Sequence, residues 1–115
     1  MRITKTTSNG TQFEFVCESW SNSRAWGHRV KLYTGTNYAP IADARIRYYN
    51  RTWESYQYQS CMHAAVGQAR SEHEAVIVAD YKEAHDIKRL TKERRAQVLE
   101  HDEYWNTLNE LYKMI

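Results

Sequence analysis

Residues 42–69 read ADARIRYYNRTWESYQYQSCMHAAVGQA, and the spacing of their apolar side chains changes part-way along. Up to Tyr49 the period is two: Ala44, Ile46 and Tyr48 fall on one side and Arg45, Arg47 and Tyr49 on the other, as in a strand with one buried face. From Tyr58 the period becomes 3.6, with Tyr58, Met62, Ala65 and Ala69 on one helical stripe. A chain that changes from strand to helix once, near its middle, is an α+β domain with segregated halves.

Toward the N-terminus the period of two continues. Ile3, Lys5 and Thr7 alternate with Arg2, Thr4 and Thr6, Ser8-Asn9-Gly10 supplies a turn, and Phe13, Phe15 and Cys17 alternate with Glu14, Val16 and Glu18, so a β-hairpin is expected. A third strand is expected from about Arg24 to Thr34, with Ala25, Gly27, Arg29, Lys31 and Tyr33 opposing Trp26, His28, Val30 and Leu32. The fourth begins near Ala42, and Asn50-Arg51 leads either to a short fifth strand at Thr52 to Tyr56 or to a bulge.

Toward the C-terminus, Val76 and Tyr81 extend the helical stripe to about Ala84. Gly67 and the capping-box pattern Ser71-Glu72-His73-Glu74 leave open whether that span is one helix or two. A last helix is expected from an N-cap at Thr91 to the C-terminus, with Val98, His101, Trp105, Leu108, Tyr112 and Ile115 as an a/d seam that would bury His101. The expected architecture is one domain over residues 1–115: an antiparallel sheet of four or five strands packed against two or three C-terminal helices. Trp105, Leu108, Leu111 and Ile115 either close that core or support a homodimer.

Composition narrows the function. No apolar run reaches the ~20 residues of a bilayer span, and no hydrophobic leader follows Met1-Arg2, so the expected location is the cytoplasm. Cys17 and Cys61, without a CxxC, read as buried thiols. His28, His63, His73, His85 and His101 show no metal-ligand spacing, the four glycines form no phosphate loop, and no nucleophile–base pair is visible: Cys61 and His63, two apart on a helix, point to different faces. No catalytic residue, cofactor or metal is therefore assigned.

The two halves differ in charge. Residues 1–60 carry eight Lys/Arg against four Asp/Glu and eleven of the fifteen aromatics, whereas residues 61–115 carry eight against ten. Cations interleaved with rings suit either a protein interface, where Trp, Tyr and Arg dominate binding energy, or a nucleic acid, where rings stack on bases and arginines meet phosphates. The candidate contact residues are Arg45, Arg47, Tyr49 and Arg51 on one face of the fourth strand, with Trp20, Trp26 and Trp53 where exposed.

The stretch from Arg45 to Ser60, followed by the apolar helix start at Cys61-Met62, resembles small accessory proteins of bacterial phages and other mobile elements. The resemblance carries no catalytic motif and transfers no functional residue. It implies an inhibitor of a host nucleic-acid-processing defence complex, such as an anti-CRISPR or antirestriction protein, acting by protein–protein contact, or else a small DNA-binding regulator.

Overall fold

The computed structural model describes residues 1–35, 37–48, 57–80 and 91–115. Four strands, β1 (Arg2–Thr6), β2 (Gln12–Ser21), β3 (Trp26–Thr34) and β4 (Ala42–Tyr48), form an antiparallel meander in sequence order. Its register follows from the alternation. Ile3, Phe15, Leu32 and Ala42 form one row, and Cys17, Val30 and Ala44 the next, all on the inner face. A slip by one residue would turn Phe13 and Phe15, both fully buried, out to water, at a cost of about 1.5–3 kcal/mol per side chain.

The connections are made by side chains suited to tight turns. Asn9 Oδ1 accepts from Thr7 Oγ1 at 2.6 Å and Thr11 N at 3.2 Å, while Gly10 takes φ 86°, the left-handed region open to glycine. Between β2 and β3, Asn22 Oδ1 accepts from both Arg24 N (2.9 Å) and Ala25 N (2.8 Å), an Asx turn that directs Ser21 and Trp26 into their cross-strand pair. The fifth strand or bulge expected at Thr52 to Tyr56 lies outside the described residues.

Three helices are described: α1 (Gln57–Asp80), α2 (Lys92–Glu100) and α3 (Glu103–Lys113). α1 lies on the inner face over β3 and β4 and buries Cys61, Met62, Ala65, Val66 and Ala69 against Val30, Leu32, Ala42 and Ala44. The Cys61 thiol donates to Ala44 O at 3.4 Å. α1 runs unbroken through Gly67 and Ser71-Glu72-His73-Glu74, so the capping-box pattern marks no boundary; Ser71 and Glu72 are simply exposed helix surface. The hairpin turn docks on α3, where Ser8 N and Oγ donate to the Glu110 carboxylate (2.9 and 3.0 Å) and Asn9 Nδ2 donates to Thr107 Oγ1 (2.9 Å).

The C-terminal helix expected from Thr91 onward is instead two helices. Thr91 is the N-cap, its Oγ1 accepting from Arg94 N at 3.1 Å, but α2 ends at Glu100 and Asp102 takes an extended backbone to cap α3, accepting from Trp105 N at 2.7 Å. The break destroys the a/d seam. His101 is the C-cap of α2 and its side chain is 83% exposed, not buried, while Leu99, Thr107, Leu108 and Leu111 are the buried residues. Leu108 and Leu111, at full burial, belong to this chain's own core, and Tyr112 stays exposed.

Candidate recognition site on the outer sheet face

The face of the sheet turned away from the helices carries three successive cross-strand rows: Arg2, Val16, Lys31 and Asp43 in part, then Glu18, Arg29 and Arg45, then Trp20, Gly27 and Arg47. Alternation alone puts them there, because their neighbours in sequence are the core residues. Most of the charge at one end of this face is already neutralised. Arg2 Nη1 donates to Glu14 Oε1 at 2.7 Å, and Arg29 grips Asp43 with two hydrogen bonds, Nε to Oδ1 at 2.9 Å and Nη2 to Oδ2 at 2.6 Å. The Arg29 guanidinium holds the Asp43 carboxyl below the usual aspartate range, and Asp43 in turn raises Arg29.

Arg45 and Arg47 differ. Both are exposed, and neither forms an ion pair among the described residues. Two apart on β4, they point the same way about 7 Å apart along the strand. Beside them Trp20 lies across Gly27. A Cβ added to Gly27 would sit 2.6 Å from Trp20 Cζ2 and would also collide with the Ile46 carbonyl oxygen. Glycine at this position therefore lets the indole rest on bare backbone, and the Arg47 guanidinium stands 5.9 Å from the ring centroid. Trp20, Asn22, Arg45 and Arg47 line a concavity of about 420 Å³.

Of the residues expected at the contact surface, the structure brings together Arg45, Arg47 and Trp20. Trp26 is only 8% exposed, because β3 alternation turns it inward with His28, Val30 and Leu32. There it stacks on Tyr48 at 4.7 Å and meets the buried His28 ring edge-on at 5.5 Å, so it is removed from the exposed set. Tyr49, Arg51 and Trp53 lie outside the described residues. Asn22 and Gly27 were not expected at the site. The signal for Gly27 was its position in the alternating row with Arg29 and Lys31, where a residue without a side chain leaves room for a ring from the next strand.

No protein-family model, curated protein or solved structure matches the chain. Its chemistry is therefore read from its own side chains. Among the described residues no group of three His, Cys, Asp or Glu side chains is arranged to hold a metal ion. Burial pushes the Cys61 thiol up to about 11, which suppresses the thiolate needed of a nucleophile, and the neighbouring His63 faces α3, where its Nε2 meets Tyr112 O at 3.2 Å. No helix among the described residues is long and apolar enough to cross a membrane.

Proposed function

We propose that the chain is a non-enzymatic binding protein that docks an acidic surface of a protein partner onto the Trp20, Arg45 and Arg47 end of its outer sheet face. One observation carries this reading: these two arginines are exposed beside an indole and form no ion pair among the described residues, while Arg2 and Arg29 on the same face are tied to carboxylates. Trp and Arg set together in a concavity are the side chains that dominate interface energies, a single truncation removing about 2 kcal/mol or more. The resemblance of residues 45–62 to phage accessory proteins supports a nucleic-acid-processing host defence complex as the partner and inhibition by occupation as the mechanism.

The test is charge reversal. Arg45→Glu with Arg47→Glu is expected to abolish capture of the defence complex by the immobilised chain, while Arg2→Glu, at the neutralised end, leaves capture intact; retained capture by the double variant would refute the assignment. A second reading, direct nucleic-acid binding, draws on the pairing of Arg47 with the Trp20 ring. It predicts a retardation assay whose affinity falls steeply with salt.

A further inference from the structure

Among the described residues, the side-chain polar groups left free at the Trp20 concavity are hydrogen-bond donors. Arg45 and Arg47 present guanidinium N–H groups and can accept nothing. Asn22 has its acceptor oxygen engaged by two backbone N–H groups of its turn, which leaves its Nδ2 as the free group. The Trp20 ring forms the aromatic wall, and its Nε1, a donor only, is buried beneath the surface with no acceptor among the described residues. Among the described residues no carboxylate lines the concavity, although Glu14, Glu18 and Asp43 stand elsewhere on the same sheet face. A site whose described side chains offer donors and an aromatic wall, with no side-chain acceptor left free, is complementary to oxyanions and disfavours cations.

Resting on the docking reading above, we infer that this concavity receives two carboxylates carried at alternate positions of an extended acidic segment of the partner protein. The match is one of spacing: side chains two apart on an extended strand project to one side about 7 Å apart, the same interval that separates Arg45 and Arg47 on β4. Each guanidinium then meets one carboxylate, and the indole covers the segment's intervening backbone. A nucleic-acid backbone fits less well. It needs a continuous cationic track, and beyond Arg45 the same cross-strand row leads through Arg29, already bound to Asp43, to the exposed carboxylate of Glu18.

The experiment follows the Trp20 indole N–H resonance of the full-length chain by ¹⁵N NMR, identified through Trp20→Phe, during titration with an acetylated, amidated Gly-Glu-Thr-Glu-Gly peptide. The Trp20 signal is expected to shift saturably, whereas the peptide with Gln in place of both Glu moves nothing. Arg45→Gln and Arg47→Gln should each weaken binding about tenfold, Arg45→Lys should restore part of it, and Arg2→Gln should leave it unchanged. Equal shifts from the Glu and Gln peptides, no shift from either, or a shift only with an eight-nucleotide thymidine oligomer would each overturn the inference. If Arg45→Glu with Arg47→Glu abolishes capture of the partner while the Glu peptide is silent, only the acidic-segment inference falls; if capture survives that variant, the docking reading falls as well.

Discussion

The two ends of the outer sheet face use arginine in opposite ways. From the end held by Arg2 to the middle row, where Arg29 stands across from Arg45, Arg2 and Arg29 are each bound to a carboxylate on the neighbouring strand, Glu14 or Asp43, and the pairs reinforce the strand register. Toward the other end, Arg45 and Arg47 have no carboxylate across from them on β3: the residues opposite are Arg29, already engaged, and Gly27, which has no side chain. One arrangement is internally satisfied and contributes to folding. The other leaves positive charge beside an indole with no carboxylate partner among the described residues, a placement that an arriving anion would make more favourable. The proposed recognition thus rests on what remains unpaired among the described residues, a distinction that net charge does not contain.

The sharpest way to break this contrast is at Gly27. Gly27→Ala would drive a methyl group into the Ile46 carbonyl and the Trp20 ring, and because the first obstacle is backbone, a rotamer change cannot relieve it. The expected loss is about 2–3 kcal/mol by urea denaturation, with the Trp20 indole resonance displaced even without ligand. A neutral effect would mean that the indole does not rest on the strand, and the concavity would lose its wall.

How much of this was legible in the sequence depended on periodicity. Strands with one buried face declare both faces at once, so Phe13, Phe15, Val30 and Leu32 inside and Arg29, Arg45 and Arg47 outside follow from alternation alone. Trp20 was harder to place, because the pattern that defines the hairpin fades after Glu18, whereas β2 continues to Ser21 through pairing with β3. The C-terminal error has a different origin. Spacings of three and four persist across His101 and Asp102, yet Asp102 satisfies the orphan N–H of Trp105 only by leaving the helix, and that local hydrogen bond outweighs a continuous apolar pattern. The reverse holds at Ser71 in α1, where a capping pattern yields to a helix already anchored by Cys61, Met62, Ala65, Val66 and Ala69. The arginine pairs were not legible at all, since Arg2 with Glu14 and Arg29 with Asp43 are diagonal neighbours that only the register of the strands defines.

At the neutralised end, acid is the appropriate probe. Asp43 has its folded pKa held below the usual aspartate value of about 3.9, first by the hydrogen bond from Arg29. The stabilisation is therefore complete above the unfolded pKa and fades as pH falls through the lower, folded one. Asp43→Asn should reduce Tm by about 3 °C or less at pH 7, because the pair is partly solvated, and the wild-type and variant curves should converge as pH falls through the lowered folded pKa. A difference that persisted undiminished in acid would assign the effect to packing and remove the electrostatic distinction between the two ends.

The smallest expected effect is the one that separates a recognition surface from a structural one. Arg45→Met with Arg47→Met removes both unpaired cations while keeping much of their apolar length. If these guanidiniums take no part in holding the sheet together, stability should change by no more than about 0.5 kcal/mol. The comparison must be made on the same preparation that fails to capture the partner, since loss of binding in a destabilised chain would carry no information. A chain equally stable yet unable to bind separates the two roles cleanly. A substantial loss of stability would instead mean that Arg47 over the Trp20 ring acts as Arg29 does with Asp43, as an internal brace, and the two ends of the face would no longer differ in kind.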